Sequence, residues 1–191
     1  PAYAATELIC DWDGYADVDG DGDESFVTWT INEFAAAGDG TTLSAGFVDG
    51  DLVACKVLPF DGADIGEPVI GTITISNTAP SVESASVSPS SPTYADTLTC
   101  TWAGYADDDF DADASTVQWF NNAGDLLGSG TTLTGGFVGG DRVNCVVTPN
   151  DGKDAGIPVA SPPVTVENSP PSLENVTLSP PNPTVETTLV C

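Results

Sequence analysis

"LICDWDGY" spans residues 8–15 and "LTCTWAGY" spans residues 98–105. Leu, Cys, Trp, Gly and Tyr hold the same places in both, 90 positions apart. In the second stretch Leu98, Cys100 and Trp102 fall on one face of an extended chain, with Thr99 and Thr101 on the other. That alternation marks a half-buried strand. "DRVNCVVT" (141–148) repeats the pattern with Val143, Cys145 and Val147. No stretch carries the apolar stripe of a helix, so the chain reads as all-β.

The copying extends well beyond these strands. Trp29 returns as Trp119, "TTL" at 41 as "TTL" at 131, Phe47 as Phe137, Cys55 as Cys145, and "DG" at 61 as "DG" at 151. After Val159 the second copy carries one extra residue, so that Asn77 matches Asn168 and Cys100 matches Cys191. Residues 1–78 read as a first repeat lacking its first strand, 79–169 as a second, and 170–191 as the start of a third. Prolines gather near the joins, as in "SVSPSSPTY" (86–94) and "LSPPNPTV" (178–185), where edge strands and linkers tolerate them. About seven strands in ~90 residues is the size of an Ig-like β-sandwich, and the copies are expected to stand end to end. The chain looks like a window on a longer array, continuing past Cys191. Donor-strand exchange between subunits is the other way to complete the first repeat.

Cys10 and Cys55 lie 45 residues apart, as do Cys100 and Cys145, each on an inward-facing strand position. With Trp29 and Trp119 between them, they resemble the Cys…Trp…Cys pattern of immunoglobulin domains, in which a bridge joins strands B and F. Bridges Cys10–Cys55 and Cys100–Cys145 follow from that spacing, and paired cysteines imply an oxidising compartment. Free buried thiols in a reducing compartment are the alternative. Trp12 and Trp102 share their face with Leu and Cys, which assigns them to the core rather than to a carbohydrate platform.

The chain has 191 residues, with 29 acids against three bases, no histidine and a net charge of −26. Nucleic acid and anionic membranes need basic surface and are excluded as partners. No apolar run approaches the ~18 residues of a membrane span, and any export signal is expected outside this stretch. Such a surface favours divalent cations or a salty medium that screens self-repulsion.

The acids are patterned. Asp17, Asp19, Asp21 and Asp23 alternate along one stretch, and Asp107, Asp109, Asp111 and Asp113 along its copy. An EF-hand is rejected because Thr28 stands where the bidentate glutamate of the loop belongs and no helices flank it. The aspartates instead fall between strands B and C. The loop between strands F and G brings Asp61 and Asp64, or Asp151 and Asp154. In an Ig-like sandwich these loops share one end, so the carboxylates converge, and Ca²⁺ takes six to eight such oxygens. Zn²⁺ is disfavoured with no histidine and the cysteines engaged. "PFDGADIGEP" and "PNDGKDAGIP" also read as turns capped by their own side chains.

"ADVD" and "ADDD" resemble the Ala-Asp-x-Asp loop of cadherin repeats, and "DIGEP" and "DAGIP" their Asp-x-Gly-x-Pro. "SNTAP" and "ENSPP" are similar to that family's Asn-rich linker ending in proline. The resemblance implies Ca²⁺ shared across the junction, with Asp107, Asp109 and Asp154, and Asp17, Asp19 and Asp64, among its ligands. The chain departs from that family in lacking an Asp-Arg-Glu motif and in adding disulfides. Bacterial or archaeal surface arrays fit this combination better than animal cadherins.

With no histidine base, no cysteine free for nucleophilic work and no phosphate loop, an enzyme is not expected. The chain reads as a structural repeat segment of an extracellular or cell-surface filament, stalk or fibre. Its partners are further copies in series, with lateral self-assembly open. An adhesin recognising glycans or other cells is the rival, because loop tips differ between copies: "EFAAAGDG" against "AGDLLGSG". Asn175-Val176-Thr177 is a glycosylation sequon, with Asn175 its acceptor.

Overall fold

The computed structural model describes residues 1–38, 40–179, 181–188 and 190. Every named element is a strand. The first copy holds β1 (Leu8–Ile9), β2 (Phe26–Ile31), β3 (Phe34–Ala36), β4 (Thr42–Leu43), β5 (Leu52–Leu58) and β6 (Val69–Thr74). The second holds β7 (Ser84–Ser88), β8 (Thr97–Ala103), β9 (Thr116–Asn121), β10 (Leu126–Ser129), β11 (Thr132–Thr134), β12 (Arg142–Thr148), β13 (Val159–Ala160) and β14 (Val164–Thr165). Among the described residues no helix is long and apolar enough to cross a membrane.

In the second copy, sheet β11-β8-β7 packs on sheet β10-β9-β12-β13, with β14 also paired to β12. All these pairs are antiparallel. Alternation places Leu98 and Cys100 of one sheet against Trp119, Val143, Cys145 and Val147 of the other, all buried in one core. The Cys100–Cys145 disulfide ties β8 to β12 across the sandwich. The extra residue of this copy has a local cause. β12 pairs Val147 with Val159 but Val143 with Val164, so the register slips by one between β13 and β14. The slip falls at Ser161–Pro162–Pro163, where proline cannot donate to the ladder. Ser161 bridges the gap, its hydroxyl accepting from the Cys145 N–H and its own N–H donating to the Cys145 carbonyl. In the first copy β6 runs unbroken, with Cys55 opposite Gly71.

The first copy has its own core around Trp29, Leu43, Phe47, Val53 and Val57, and the Cys10–Cys55 disulfide. Among the described residues, sheet β3-β2-β5-β6 faces only the short pair β1-β4. Here the structure corrects the expected extent of strand B. The second copy's β8 reaches past Trp102, whereas β1 stops at Ile9, short of Cys10 and Trp12. The reason is the missing neighbour. β7 pairs Val87 with Cys100 and Ala85 with Trp102, and no described segment does this for residues 10–12, where the Cys10 N–H bonds only to the Thr41 carbonyl.

In residues 170–191 the described ordering is one isolated bridge, Ser179 to Val190. Asn175 is exposed there. Cys191 lies outside the described residues.

Candidate functional site

The alternating aspartates do different work at successive positions, and both copies divide the work alike. Asp107 turns its loop: its Oδ1 accepts from the N–H groups of Asp109 and Asp111 at 2.9 and 3.1 Å. Asp17 does the same for Asp19, Gly20 and Asp21. The loop needs a left-handed residue next. Gly20 supplies it at φ 85° in the first copy, and the exposed Phe110 adopts φ 64° in the second. Asp113 accepts from the indole Nε1 of Trp102 at 2.9 Å, and Asp23 from that of Trp12 at 3.2 Å. The fourth aspartate of each run therefore fixes the half-buried tryptophan at the rim of the core.

The loop after strand F is built on the same device. Asp151 Oδ1 accepts from the N–H groups of Lys153 and Asp154, and Asp61 Oδ1 from those of Ala63 and Asp64. This is the side-chain-capped turn that the sequence pattern allows. The glycine of the Asp-x-Gly-x-Pro motif is a close-approach position. A Cβ on Gly156 would collide with the Pro80 carbonyl, so the loop can lie against the start of its own repeat only with glycine there.

These loops meet the first copy across the junction. Asp109, 7% exposed, accepts from two of its backbone N–H groups: Asp49 on Oδ1 at 2.9 Å and Thr78 on Oδ2 at 2.6 Å. The Asn77 amide donates to Asp151 Oδ2 and Asp154 Oδ2, each at 2.9 Å. The Lys153 ammonium reaches back to both oxygens of Asp49 at 2.9 Å and to Asp111 Oδ2 at 2.7 Å. The carboxylates of Asp111 and Asp49 hold the lysine well above its ordinary pKa. The structure thus brings together Asp107, Asp109, Asp111, Asp151 and Asp154, and adds Asp49, Asn77 and Lys153. Motif reading gives the last three no role: Asn77 lies in the linker and Lys153 in the loop after strand F, but neither stretch names the partner across the join. Their roles come from lying opposite the acidic loops.

In the first copy Asp17, Asp61 and Asp64 line one cleft, Asp19 and Asp21 follow in the loop that Asp17 turns, and Ala63 holds the position of Lys153. Asp19, the counterpart of Asp109, is exposed.

The donor set of both ends is all oxygen, the chemistry of a hard cation. At the junction, Asp107 Oδ2 and Asn77 Oδ1 are buried without a hydrogen-bond partner. Against this, Asp109 has both oxygens engaged by N–H donors, and an ammonium already lies between Asp49 and Asp111. Among the described residues no group of three or more acidic, histidine or cysteine side chains is placed to hold a metal. As arranged, the junction does not fit a calcium cage.

The amide of Asn77 is the largest influence holding the Asp151 carboxyl down to about 2, with the N–H groups of Asp154 and Lys153 adding to it. A depressed carboxyl stabilises the fold above its unfolded pKa near 4, and that contribution is lost as pH falls through about 2. Asn77→Ala is expected to move the Asp151 titration up toward the ordinary carboxyl range, read from its side-chain ¹³C shift. An Asp151 that already titrates near 4 in the unaltered protein would remove the basis for this assignment.

No family model and no curated protein matches the sequence. Among solved structures, a two-fibronectin-type-III-domain segment of chicken tenascin aligns with TM-score 0.45 and 13% identity, over 78% of this chain and 87% of that one. A titin segment aligns with TM-score 0.39 and 15% identity, over 76% of this chain and 55% of that one. Similarity at this level identifies no family, and the fold rests on the strand pairing described above.

Proposed function

We propose that the chain is a structural segment of an extracellular or cell-surface filament, stalk or fibre, in which disulfide-braced sandwiches follow one another in series. The observation that carries this reading is the Asp109 clamp. A buried carboxylate of one copy is bonded through both oxygens to backbone N–H groups of the other, which resists rotation at the join in a way that a flexible linker does not. Two bridges, one in each copy, suit an oxidising exterior, and the acidity suits a surface exposed to salt. A bacterial or archaeal surface protein is the source that agrees best with this combination.

Calcium belongs to this reading at the outer end of the first copy, where Asp17, Asp19, Asp21, Asp61 and Asp64 have no lysine among them and would have to draw together to hold the ion. Calorimetry is expected to show saturable Ca²⁺ uptake at about 10⁻⁴ to 10⁻³ M, the range of extracellular modules, abolished by Asp17→Asn with Asp19→Asn. Heat signals indifferent to those substitutions would leave the loop a solvated turn. Gold-labelled antibody against the chain is expected to decorate surface fibres along their length. Labelling confined to fibre tips, together with saturable retention on a glycan array, would favour the adhesin.

A further inference from the structure

We propose that Lys153 is the resident cation of the junction between the two copies, standing in the place of a divalent ion and making this junction independent of calcium. The inference rests on reading the copies as stiff units in series. Six carboxylates line this junction: Asp49 from the first copy, and Asp107, Asp109, Asp111, Asp151 and Asp154 from the second. Hydrogen-bond donors of the chain already engage four of them. Asp109 takes two backbone N–H groups, Asp107 takes those of its own loop, and Asp151 and Asp154 share the Asn77 amide. Asp49 and Asp111 remain, one from each copy, and like charges facing across a join push it open.

Lys153 answers that charge. It contacts three oxygens of these two residues at 2.7–2.9 Å, and their side chains are 19% and 26% exposed. An exposed single ion pair contributes little. Here one ammonium joins two partly shielded carboxylates of different repeats, and it is one of only three basic side chains in the chain.

The internal copy shows that the pair is an addition to a shared clamp. Asp107, Asp109, Asp151 and Asp154 recur as Asp17, Asp19, Asp61 and Asp64, whereas Lys153 corresponds to Ala63 and Asp49 to Gly139. Lysine and its cross-copy partner are thus both specific to this junction. The acidic ends of the two copies are then chemically different: that of the second is neutralised from within by Lys153, whereas that of the first carries no lysine.

The test uses the full chain, with ¹⁵N relaxation reporting whether the two copies tumble together, in chelator and in millimolar calcium. The unaltered protein is expected to tumble as one body in both. Lys153→Met in chelator leaves Asp49 and Asp111 repelling each other beside the Asp109 clamp and is expected to uncouple the copies, the correlation time of each falling by about half, toward that of a single ~90-residue domain. Millimolar calcium should recouple them, and Lys153→Arg should stay coupled throughout. Copies already uncoupled in the unaltered protein, with and without calcium, would overturn the stiff-series reading itself. Coupling in the unaltered protein that chelator abolishes would show that a metal, not Lys153, holds the join. Lys153→Met that stays coupled in chelator would overturn the role of the lysine while leaving the series intact. Uncoupling that calcium cannot reverse would overturn the equivalence of lysine and divalent ion.

Discussion

Replacing Cys100 and Cys145 together by alanine is expected to lower the stability of the second sandwich by about 4 kcal/mol. Closing a loop with a sequence separation of 45 removes that much chain entropy from the unfolded state on the loop-closure model. The bridge also lies inside the core, with Cys100 at 2% and Cys145 at 0% exposure, so truncation adds a small cavity to the loss. Reducing both disulfides at once gives the sharper comparison. The second sandwich keeps β7 on β8, and that strand carries five paired residues. Among the described residues the first has no such strand, and its smaller sheet is a two-residue ladder. Without the covalent tie, little holds β1 to the rest of that copy. Denaturation followed by tryptophan fluorescence should therefore show the first copy unfolding at lower denaturant after reduction. Equal midpoints, or earlier loss of the second copy, would contradict this account of which sheet depends on its bridge.

Much of this architecture is legible in residue order, for a physical reason. A strand buried on one face must alternate, so Leu98, Cys100 and Trp102 announce β8, and Val143, Cys145 and Val147 announce β12. A duplicated core needs a duplicated pattern, which gives the repeat. What alternation cannot report is whether a strand has a neighbour. Cys10 and Trp12 carry the same pattern as Cys100 and Trp102, yet only the latter pair lies in a strand, because ladder bonds come from another segment. The one-residue insertion is visible as a change of offset, but its form depends on Ser161 meeting Cys145 across the sheet.

The acidic ends divide in the same way. Asp-x-Asp spacing marks a loop, and local turn chemistry accounts for Asp17, Asp61, Asp107 and Asp151. Spacing does not distinguish Asp113, bonded to an indole, from Asp109, bonded to the preceding copy, although both belong to one alternating run. The difference arises from what faces each carboxylate. Asn77, Asp49 and Lys153 enter the site for the same reason.

Trp119→Ala is expected to cost the second sandwich about 3–5 kcal/mol, the usual loss for a large aromatic truncated in a core. Trp119 is fully buried, and its Nε1 donates to the Gly130 carbonyl at 2.8 Å. Alanine leaves both a cavity and that carbonyl without its donor. Trp119→Phe separates the two, since it keeps most of the volume and loses only the hydrogen bond, for about 1–3 kcal/mol. Trp29→Ala should cost less, because Trp29 is 6% exposed and its bond to the Gly40 carbonyl is longer, at 3.1 Å. The same variant probes the join. Once the second sandwich unfolds, Asp49 and Thr78 lose Asp109 as acceptor, Asn77 loses Asp151 and Asp154, and Asp49 loses Lys153, while every core contact of the first copy remains. Its midpoint should then fall only by the worth of those hydrogen bonds, about 1 kcal/mol each. A first copy that unfolds together with the second in Trp119→Ala would show that the join carries much more stability than the contacts of Asp109, Asn77 and Lys153 explain. A first copy indifferent to the loss would show that the clamp orients the repeats without stabilising them.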